Sequence, residues 1–353
     1  MIKYDHLAVI NIKSNESNLY WSLRYSGIIE LILANSFFSL NALTNIYIIK
    51  QAAKITQTAS MNIIIYIINN INKFKKYITN MYGVHIHKYN SKKENKEKII
   101  NGNLEKSLLH ATKKWTCAQI FTHGPRTMNI NEFDEKMIKH VATMIPIYSH
   151  ASYLTHPWKS DKSHKHLKDQ LNLCKKMGLK GLVVHLPKDK PDVVVQAMKI
   201  INDKDIPLIL EMTSVSPNAN TYETPEKLNY LINELDRIGN INYGICIDTS
   251  HVWAAGQDMK YYNDVKKWLN KITSNRITLF HLNGTTIPLG GHKDVHSVPF
   301  SSDDLIWGDV KYNDSGFKAI QEFAYIHNIP IIMEVKGNTD KVHSYLSNVD
   351  LLN

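Results

Sequence analysis

Eight short β-strand-like runs are spaced through residues 82 to 336, and longer amphipathic segments separate most of them. Strands that alternate with helices indicate repeated βα units and a parallel sheet, and eight such units close a barrel. We therefore predict an α/β fold of the (β/α)8 TIM-barrel type. The strand-like runs are 82–87, 118–122, 144–150, 181–186, 206–212, 243–249, 276–283 and 330–336, and helix candidates include 166–177, 191–202, 225–238, 261–273 and 316–327.

An open, doubly wound sheet is the alternative arrangement of βα units. That fold typically carries a Gly-rich, phosphate-binding turn after an early strand. The sequence has no such turn after its first runs, so we prefer the closed barrel.

The chain is longer than a barrel requires. A TIM barrel takes about 250 residues, and the chain has 353. We predict a mainly helical N-terminal extension of unknown role at residues 1–80 and a barrel domain at residues 81–353. Within the extension, residues 31–49 are uncharged and long enough for a transmembrane helix, but asparagine, serine and threonine make them too polar. We therefore expect no membrane association.

Composition limits the compartment and the partners. Residues 1–20 are charged and lack the layout of a signal peptide, so we expect an intracellular protein, in cytoplasm, nucleus or virion. The three cysteines, Cys117, Cys174 and Cys246, have no paired spacing, which argues against a disulfide framework. The formal net charge of +10 favours a polyanionic partner such as nucleic acid. This indication is weak, because the abundance of Ile, Asn and Lys is typical of an AT-rich genome, such as that of a large DNA virus.

Nine histidines and carboxylates lie at the carboxyl ends of the predicted strands or in the loops that follow them. These strand ends meet at one face of a closed barrel, where barrels of this type keep their chemistry. Any one of the nine would more often be a core or loop residue, but nine together are too many for one ion. The sequence predicts a multinuclear metal site, and imidazole and carboxylate donors suit zinc. The nine are His150, His185, Glu211, Asp248, His251, His281, Asp294, His296 and Glu334.

Several segments of the chain resemble the endonuclease IV family of zinc-dependent apurinic/apyrimidinic (AP) endonucleases, which are DNA-repair enzymes built on a xylose-isomerase-like TIM barrel. The resemblance runs from about Tyr82 to Glu334, and all nine metal-binding positions find the matching residue type in order. The segments are Gly83-Val-His85, Ser149-His150, Tyr153-Leu154, Val184-His185, Leu210-Glu211, Asp248-Thr-Ser-His251, His281-Leu-Asn283, Asp294-Val-His296 and Met333-Glu334.

The resemblance implies three zinc ions and a catalytic role for Glu211. His150 and His185 would bind the first ion, and Glu211 would bridge it to the second and position the attacking water. The second ion would also take Asp248, His281 and Glu334, and the third would take His251, Asp294 and His296. The implied reaction is hydrolysis of the phosphodiester 5′ to an abasic site, which leaves a 3′ hydroxyl and a 5′ deoxyribose phosphate. Trimming of blocked 3′ ends and a monomeric state are implied as well.

The resemblance also implies the DNA contacts. The partner would be double-stranded DNA with abasic sites or blocked 3′ ends. The enzyme would flip the abasic nucleotide out of the duplex into a pocket, which is easiest where no base is stacked. Arg126 is the candidate for insertion into the base stack, with Tyr153, Leu154 and His85 as further contacts. Arg126 as an ordinary phosphate contact and Tyr153 as barrel-rim packing stay open as alternatives.

Two other functions compete with this interpretation. A divalent-metal sugar isomerase or epimerase could use the same barrel, but such enzymes typically use about four ligands, which would leave His251, Asp294 and His296 without a role. A DNA-binding relative without activity is the other rival. Retention of all nine donors argues against it, because a degenerate site would be expected to lose some of them.

Overall fold

The computed structural model describes residues 82–86, 104–131, 133–187, 190–213 and 222–334. Eight parallel strands, β1 to β8, pair in chain order and close on themselves, since β1 also pairs with β8. The predicted (β/α)8 barrel is confirmed. The predicted extension at residues 1–80, including the uncharged window 31–49, lies outside the described residues. In the described part of the chain, no helix is both long and apolar enough to cross a membrane.

The strands are short and the helices longer. The strands are β1 Tyr82–Ile86, β2 Cys117–Phe121, β3 Ile147–His150, β4 Leu182–His185, β5 Leu208–Glu211, β6 Tyr243–Asp248, β7 Ile277–His281 and β8 Ile331–Met333. The α-helices are α1 Leu104–Ala111, α2 Glu135–Met144, α3 Asp161–Met177, α4 Pro191–Ile201, α5 Pro225–Ile238, α6 Thr249–Ala254, α7 Tyr262–Leu269 and α8 Gly316–His327.

The strands are buried on both faces, as expected of a parallel sheet enclosed by helices. One cluster of buried side chains comes from seven of the eight strands and includes Cys117, Val183 and Ile332. Helices such as α5 bury one apolar stripe, whereas every residue of α6 is buried. Side-chain caps start several of them: Asp134 accepts backbone N–H bonds at α2, and Thr224 does so at α5. These caps fix where α2 and α5 begin beside their strands.

The three cysteines lie in this interior and form no disulfide. Burial raises the pKa of each thiol to about 12, so none is available as a thiolate at neutral pH. They pack as small buried hydrophobic side chains.

Strand register brings the ligand-type residues together. In the parallel pairing, His185 lies beside Glu211 and Asp248 lies beside His281. Each of these residues is the last of its strand. The carboxyl end of the barrel is therefore lined by imidazoles and carboxylates.

Candidate metal centre

The nine predicted donors converge at the carboxyl end of the barrel. Among the described residues, eight of them form three groups, within each of which one ligand atom per residue lies within 4.8 Å of the others. Glu211 belongs to the first two groups and Asp248 to the last two, so the groups form one continuous centre. The groups are His150, His185 and Glu211; Glu211, Asp248, His281 and Glu334; and Asp248, His251 and His296.

Glu211 is fully buried at the middle of the centre. Its Oε2 atom lies 3.0 Å from His150 Nε2 and 3.3 Å from His185 Nε2. Its Oε1 atom lies 3.2 Å from Nδ1 of both His251 and His281. The two carboxylate oxygens thus face different groups, which is the arrangement of a carboxylate that bridges two cations.

Asp248 is held by the start of helix α6. Its Oδ1 accepts hydrogen bonds from the backbone N–H groups of Ser250 (2.8 Å) and His251 (3.0 Å). These bonds make Asp248 the N-cap of α6 and leave Oδ2 facing the centre, 3.8 Å from His281 Nδ1 and 3.6 Å from His296 Nε2. The segment from Asp248 to His251 therefore serves two neighbouring groups, because a strand end and a helix start meet there.

The loop after β7 completes the third group. Asp294 Oδ1 lies 3.2 Å from His251 Nε2 and 3.3 Å from His296 Nε2. Both of these ring nitrogens are buried and make no hydrogen bond in the described part of the chain. Buried polar atoms are rarely left without a partner. Imidazole nitrogens converging on carboxylate oxygens are the donor set of a metal site, so the residues fit bound cations.

In two of the histidines, one ring nitrogen contacts a backbone carbonyl oxygen, and the other nitrogen faces a carboxylate of the centre. His150 Nδ1 lies 2.7 Å from the carbonyl oxygen of Ala151, so it can donate a proton there while Nε2 faces Glu211. His251 Nδ1 lies 2.9 Å from the carbonyl oxygen of Met212, and Nε2 faces Asp294. Contacts of this kind orient metal-binding histidines in general.

The centre holds Glu211 and Glu334 ionised. Burial alone would raise the pKa of Glu211, but His185, His281 and His150 together hold that pKa well below its usual range. Burial would also raise the pKa of Glu334, and the charge and hydrogen bond of His281 reverse that effect. Ionised carboxylates in a low-dielectric interior require positive charge beside them. Either imidazolium protons or metal cations supply it, so metal binding is expected to release protons.

The rim of the centre carries three of the four predicted DNA contacts. Arg126, Tyr153 and Leu154 are exposed, and the Tyr153 ring lies 5.4 Å from the rings of both His150 and His185. The backbone N–H of Tyr153 donates to the carbonyl oxygen of Pro125 at 2.9 Å. This bond joins the loops after β2 and β3, so the three side chains belong to one rim beside the first group.

His85 lies elsewhere. It is only 3% exposed, and its Nδ1 lies 2.8 Å from Glu334 Oε1 inside the barrel. The inward face of β1 directs the side chain into the core and not to the rim. This placement favours a role in orienting Glu334 over direct contact with DNA.

Two residues of the centre escaped prediction from the sequence. Asn283 donates to Asp248 Oδ2 at 2.7 Å and accepts from the Glu334 N–H at 2.8 Å. Gln119, fully buried in β2, contacts His281 and Glu334. A polar amide within the otherwise apolar run Cys117-Ala-Gln-Ile-Phe121 was the signal that could have identified it.

Comparison with protein families and curated sequences gives consistent results. A family model described as a xylose isomerase-like TIM barrel, AP_endonuc_2, matches residues 112–352. A probable AP endonuclease of African swine fever virus is 31% identical over 235 residues, which cover 62% of this chain and 78% of the relative. The probable endonuclease 4 of Thermotoga maritima is 26% identical over 251 residues, covering 63% and 83%.

Solved structures show the same fold. The crystal structure of AsfvAP:AG superposes with a TM-score of 0.67 at 25% identity and covers 78% of this chain and all of its own. Endonuclease IV from Thermus thermophilus has a TM-score of 0.59 at 20% identity and covers 76% of this chain and 97% of its own. A xylose isomerase domain protein from Salmonella typhimurium has a TM-score of 0.54 at 14% identity. The last two comparisons show a shared barrel only.

Proposed function

This chain belongs to the AP endonuclease family with a xylose isomerase-like TIM barrel, and from that membership we propose that it hydrolyses the phosphodiester 5′ to abasic sites in duplex DNA. The products are a 3′ hydroxyl and a 5′ deoxyribose phosphate. Removal of blocked 3′ ends is a second reaction of the same site, because it breaks the same type of bond. The enzyme is a DNA-repair nuclease.

The observation that carries this proposal is the convergence of the nine donors: eight form three groups that share Glu211 and Asp248, and Asp294 lies against His251 and His296. A sugar isomerase or epimerase on this barrel needs about four donors, which the group of Glu211, Asp248, His281 and Glu334 could supply alone. In such an isomerase or epimerase, His251, Asp294 and His296 would have no role in metal binding. Their close approach around Asp294 Oδ1 therefore favours the nuclease.

Zinc is the proposed cation, with one ion for each group. Bound zinc would lower the pKa of a coordinated water and neutralise charge that develops on the phosphate. The chain's own contribution is to hold the donors in place. Glu211 faces two groups with its two oxygens, and the N-cap of α6 fixes Asp248. The surrounding burial keeps Glu211 and Asp248 out of bulk water, since both are fully buried.

Double-stranded DNA with an abasic site is the proposed partner, and the rim is the proposed contact surface. Tyr153 covers the rings of His150 and His185, so a nucleotide that reaches the first group must pass beside it. The hydrogen bond between Tyr153 and Pro125 sets Arg126 next to that path. We therefore propose that Arg126 fills the gap left by a flipped abasic nucleotide.

Replacement of Arg126 by alanine tests this placement. We expect Arg126→Ala to weaken binding to abasic duplex about 10-fold, because a stacking contact with bases is worth about 1 to 3 kcal/mol. Binding to intact duplex should change little, and zinc content should not change. The measurement is the Kd for matched abasic and intact duplexes by fluorescence anisotropy.

The matched control is Arg237→Ala. Arg237 lies in the last turn of α5, where the helices return to the amino ends of the strands, away from the centre. Equal loss of affinity for both duplexes in Arg126→Ala would instead identify Arg126 as an ordinary phosphate contact.

Product analysis tests the proposed function. Duplex DNA with one natural abasic site, labelled at either end, should give a 3′ end that a DNA polymerase extends without further processing. A parallel panel of keto-sugars and sugar phosphates with the same zinc-loaded protein should show no isomerisation or epimerisation. Turnover of a sugar, with no incised DNA, would replace the nuclease by the isomerase alternative.

A further inference from the structure

We propose that Gln119 is a positioning residue of the metal centre, which selects the ring nitrogen that His281 offers to a cation and fixes the carboxylate of Glu334. The inference rests on the proposed function of this centre as a metal site. It concerns a residue that binds no cation itself and acts through two residues that would.

Gln119 is fully buried in β2, beside His85 in the barrel register. Its Oε1 lies 2.9 Å from His281 Nε2. Its Nε2 lies 2.6 Å from Glu334 Oε1 and 2.9 Å from His85 Nδ1. The group of Glu211, Asp248, His281 and Glu334 is called the middle group below. The amide of Gln119 thus contacts two of its four members, and it also contacts His85.

The chemistry of these neighbours fixes the orientation of the amide. An ionised carboxylate only accepts hydrogen bonds, so the NH2 group of Gln119 must face Glu334. The amide oxygen then faces His281 and can only accept. His281 Nε2 must therefore carry a proton.

This tautomer leaves His281 Nδ1 with a lone pair. Nδ1 lies 3.1 Å from Glu334 Oε2 and 3.2 Å from Glu211 Oε1, which is where a cation of the middle group would be bound. The amide also occupies Glu334 Oε1 and leaves Oε2 directed at the same place. Without Gln119, His281 Nε2 would lose its hydrogen-bond acceptor, and Glu334 Oε1 would keep only its contact with His85.

Packing alone does not explain why a glutamine occupies the buried position 119. A buried amide costs free energy unless its hydrogen bonds are satisfied, and an apolar side chain of equal size would avoid that cost. The rest of β2 is apolar and completely buried. The polar exception contacts two metal-type donors, as residues that orient metal ligands generally do.

Gln119→Met tests the inference, because methionine has a similar length and no hydrogen-bonding amide. Contacts of this kind are worth about 10- to 100-fold in metal affinity. We expect one of three zinc ions to dissociate from the variant at about 10- to 100-fold higher free zinc than from wild type. The readout is bound zinc per chain in zinc-buffered solutions, together with the zinc-dependent shift in Tm. Incision of abasic DNA should recover as free zinc is raised.

Gln170→Met is the matched control. Gln170 is equally buried, but its amide contacts Thr155 and the backbone of Ser152 and no donor of the centre in the described residues. Its zinc affinity should equal that of wild type. Wild-type zinc affinity in Gln119→Met, or an equal loss in both variants, would overturn the positioning role.

A second variant keeps the test decisive if Gln119→Met does not fold. Gln119→Glu preserves the acceptor for His281 but places a second carboxylate against Glu334, so it should also lose one zinc ion earlier than wild type. Zinc binding as tight as wild type in Gln119→Glu would again overturn the role. Wild-type protein that binds three zinc ions and cuts no abasic DNA would refute the proposed function, and would leave the positioning of His281 to be judged by zinc affinity alone.

Discussion

Replacement of Glu211 by glutamine is expected to abolish incision, with a loss of at least about 1,000-fold in kcat, while the protein still binds abasic DNA. Glu211 is the residue that two groups share, and each of its oxygens faces two imidazoles. A neutral amide keeps the shape of the side chain but loses the charge that would hold two cations side by side. Bound cations supply several kcal/mol of charge stabilisation in phosphoryl chemistry, which corresponds to about three powers of ten.

DNA binding should survive this change, because Glu211 is fully buried and the rim residues Arg126 and Tyr153 are untouched. The measurement is single-turnover incision beside the Kd for the same duplex. Glu226→Gln on the exposed first turn of α5 is the control and should behave as wild type. Turnover within about 10-fold of wild type in Glu211→Gln would contradict the role of a bridging carboxylate.

Asp294→Asn is expected to lose one zinc ion and to slow incision at least about 100-fold. Asp294 Oδ1 is the point on which His251 Nε2 and His296 Nε2 converge. Burial acts to raise the pKa of Asp294, but the close approach and charge of His251, with the charge of His296, lower it, so the carboxylate is ionised. The amide removes a charged oxygen donor, and the loss of one cation from the site costs several kcal/mol of transition-state stabilisation.

This variant separates the two barrel chemistries. An isomerase would use the middle group and should not depend on Asp294, whereas the nuclease uses all three groups. Zinc per chain and single-turnover incision are the measurements, and Asp303→Asn, an exposed change nearby in the sequence, is the control. Full zinc content with unchanged incision in Asp294→Asn would remove the third group from the mechanism.

The barrel and the centre were predictable because both depend on local patterns. A donor residue at the carboxyl end of a strand can be identified from local sequence alone, and closure of the barrel then brings such residues to one face. His185 and Glu211 illustrate this, since their strands pair in register and their side chains meet. The nine donors therefore follow from the spacing of the runs, and the resemblance supplied their grouping.

Contacts between residues that are distant in the sequence could not be predicted from local patterns. The resemblance assigned Asp248 to the second cation, and the helix start that it caps also brings it close to His251 and His296. His85 was expected at the DNA surface, but its side chain is buried beside Glu334, a partner 249 positions away in the sequence. Gln119 contacts His281, which is 162 positions away in the sequence, and no short-range pattern reveals such a partner.

Element boundaries differ for local reasons. The run 330–336 was expected as a strand, and the hydrogen-bonded strand in the described residues is Ile331–Met333, with Glu334 outside it. Helix α3 begins at Asp161 and not at residue 166, because the Ser160 side chain accepts the N–H of Ser163 and starts the helix earlier. Caps of this type are visible in the sequence and were outweighed by hydrophobic periodicity.

The most direct test of the central claim is incision of a duplex that carries one tetrahydrofuran abasic analogue, in magnesium-free buffer, with and without a strong zinc chelator. The analogue cannot undergo β-elimination, so cleavage requires hydrolysis. We expect cleavage on the 5′ side of the analogue with a 3′ hydroxyl, loss of that cleavage in chelator, and recovery on addition of zinc. A folded, zinc-loaded protein that leaves the analogue uncut, or that cuts equally well in chelator, would contradict a zinc-dependent AP endonuclease.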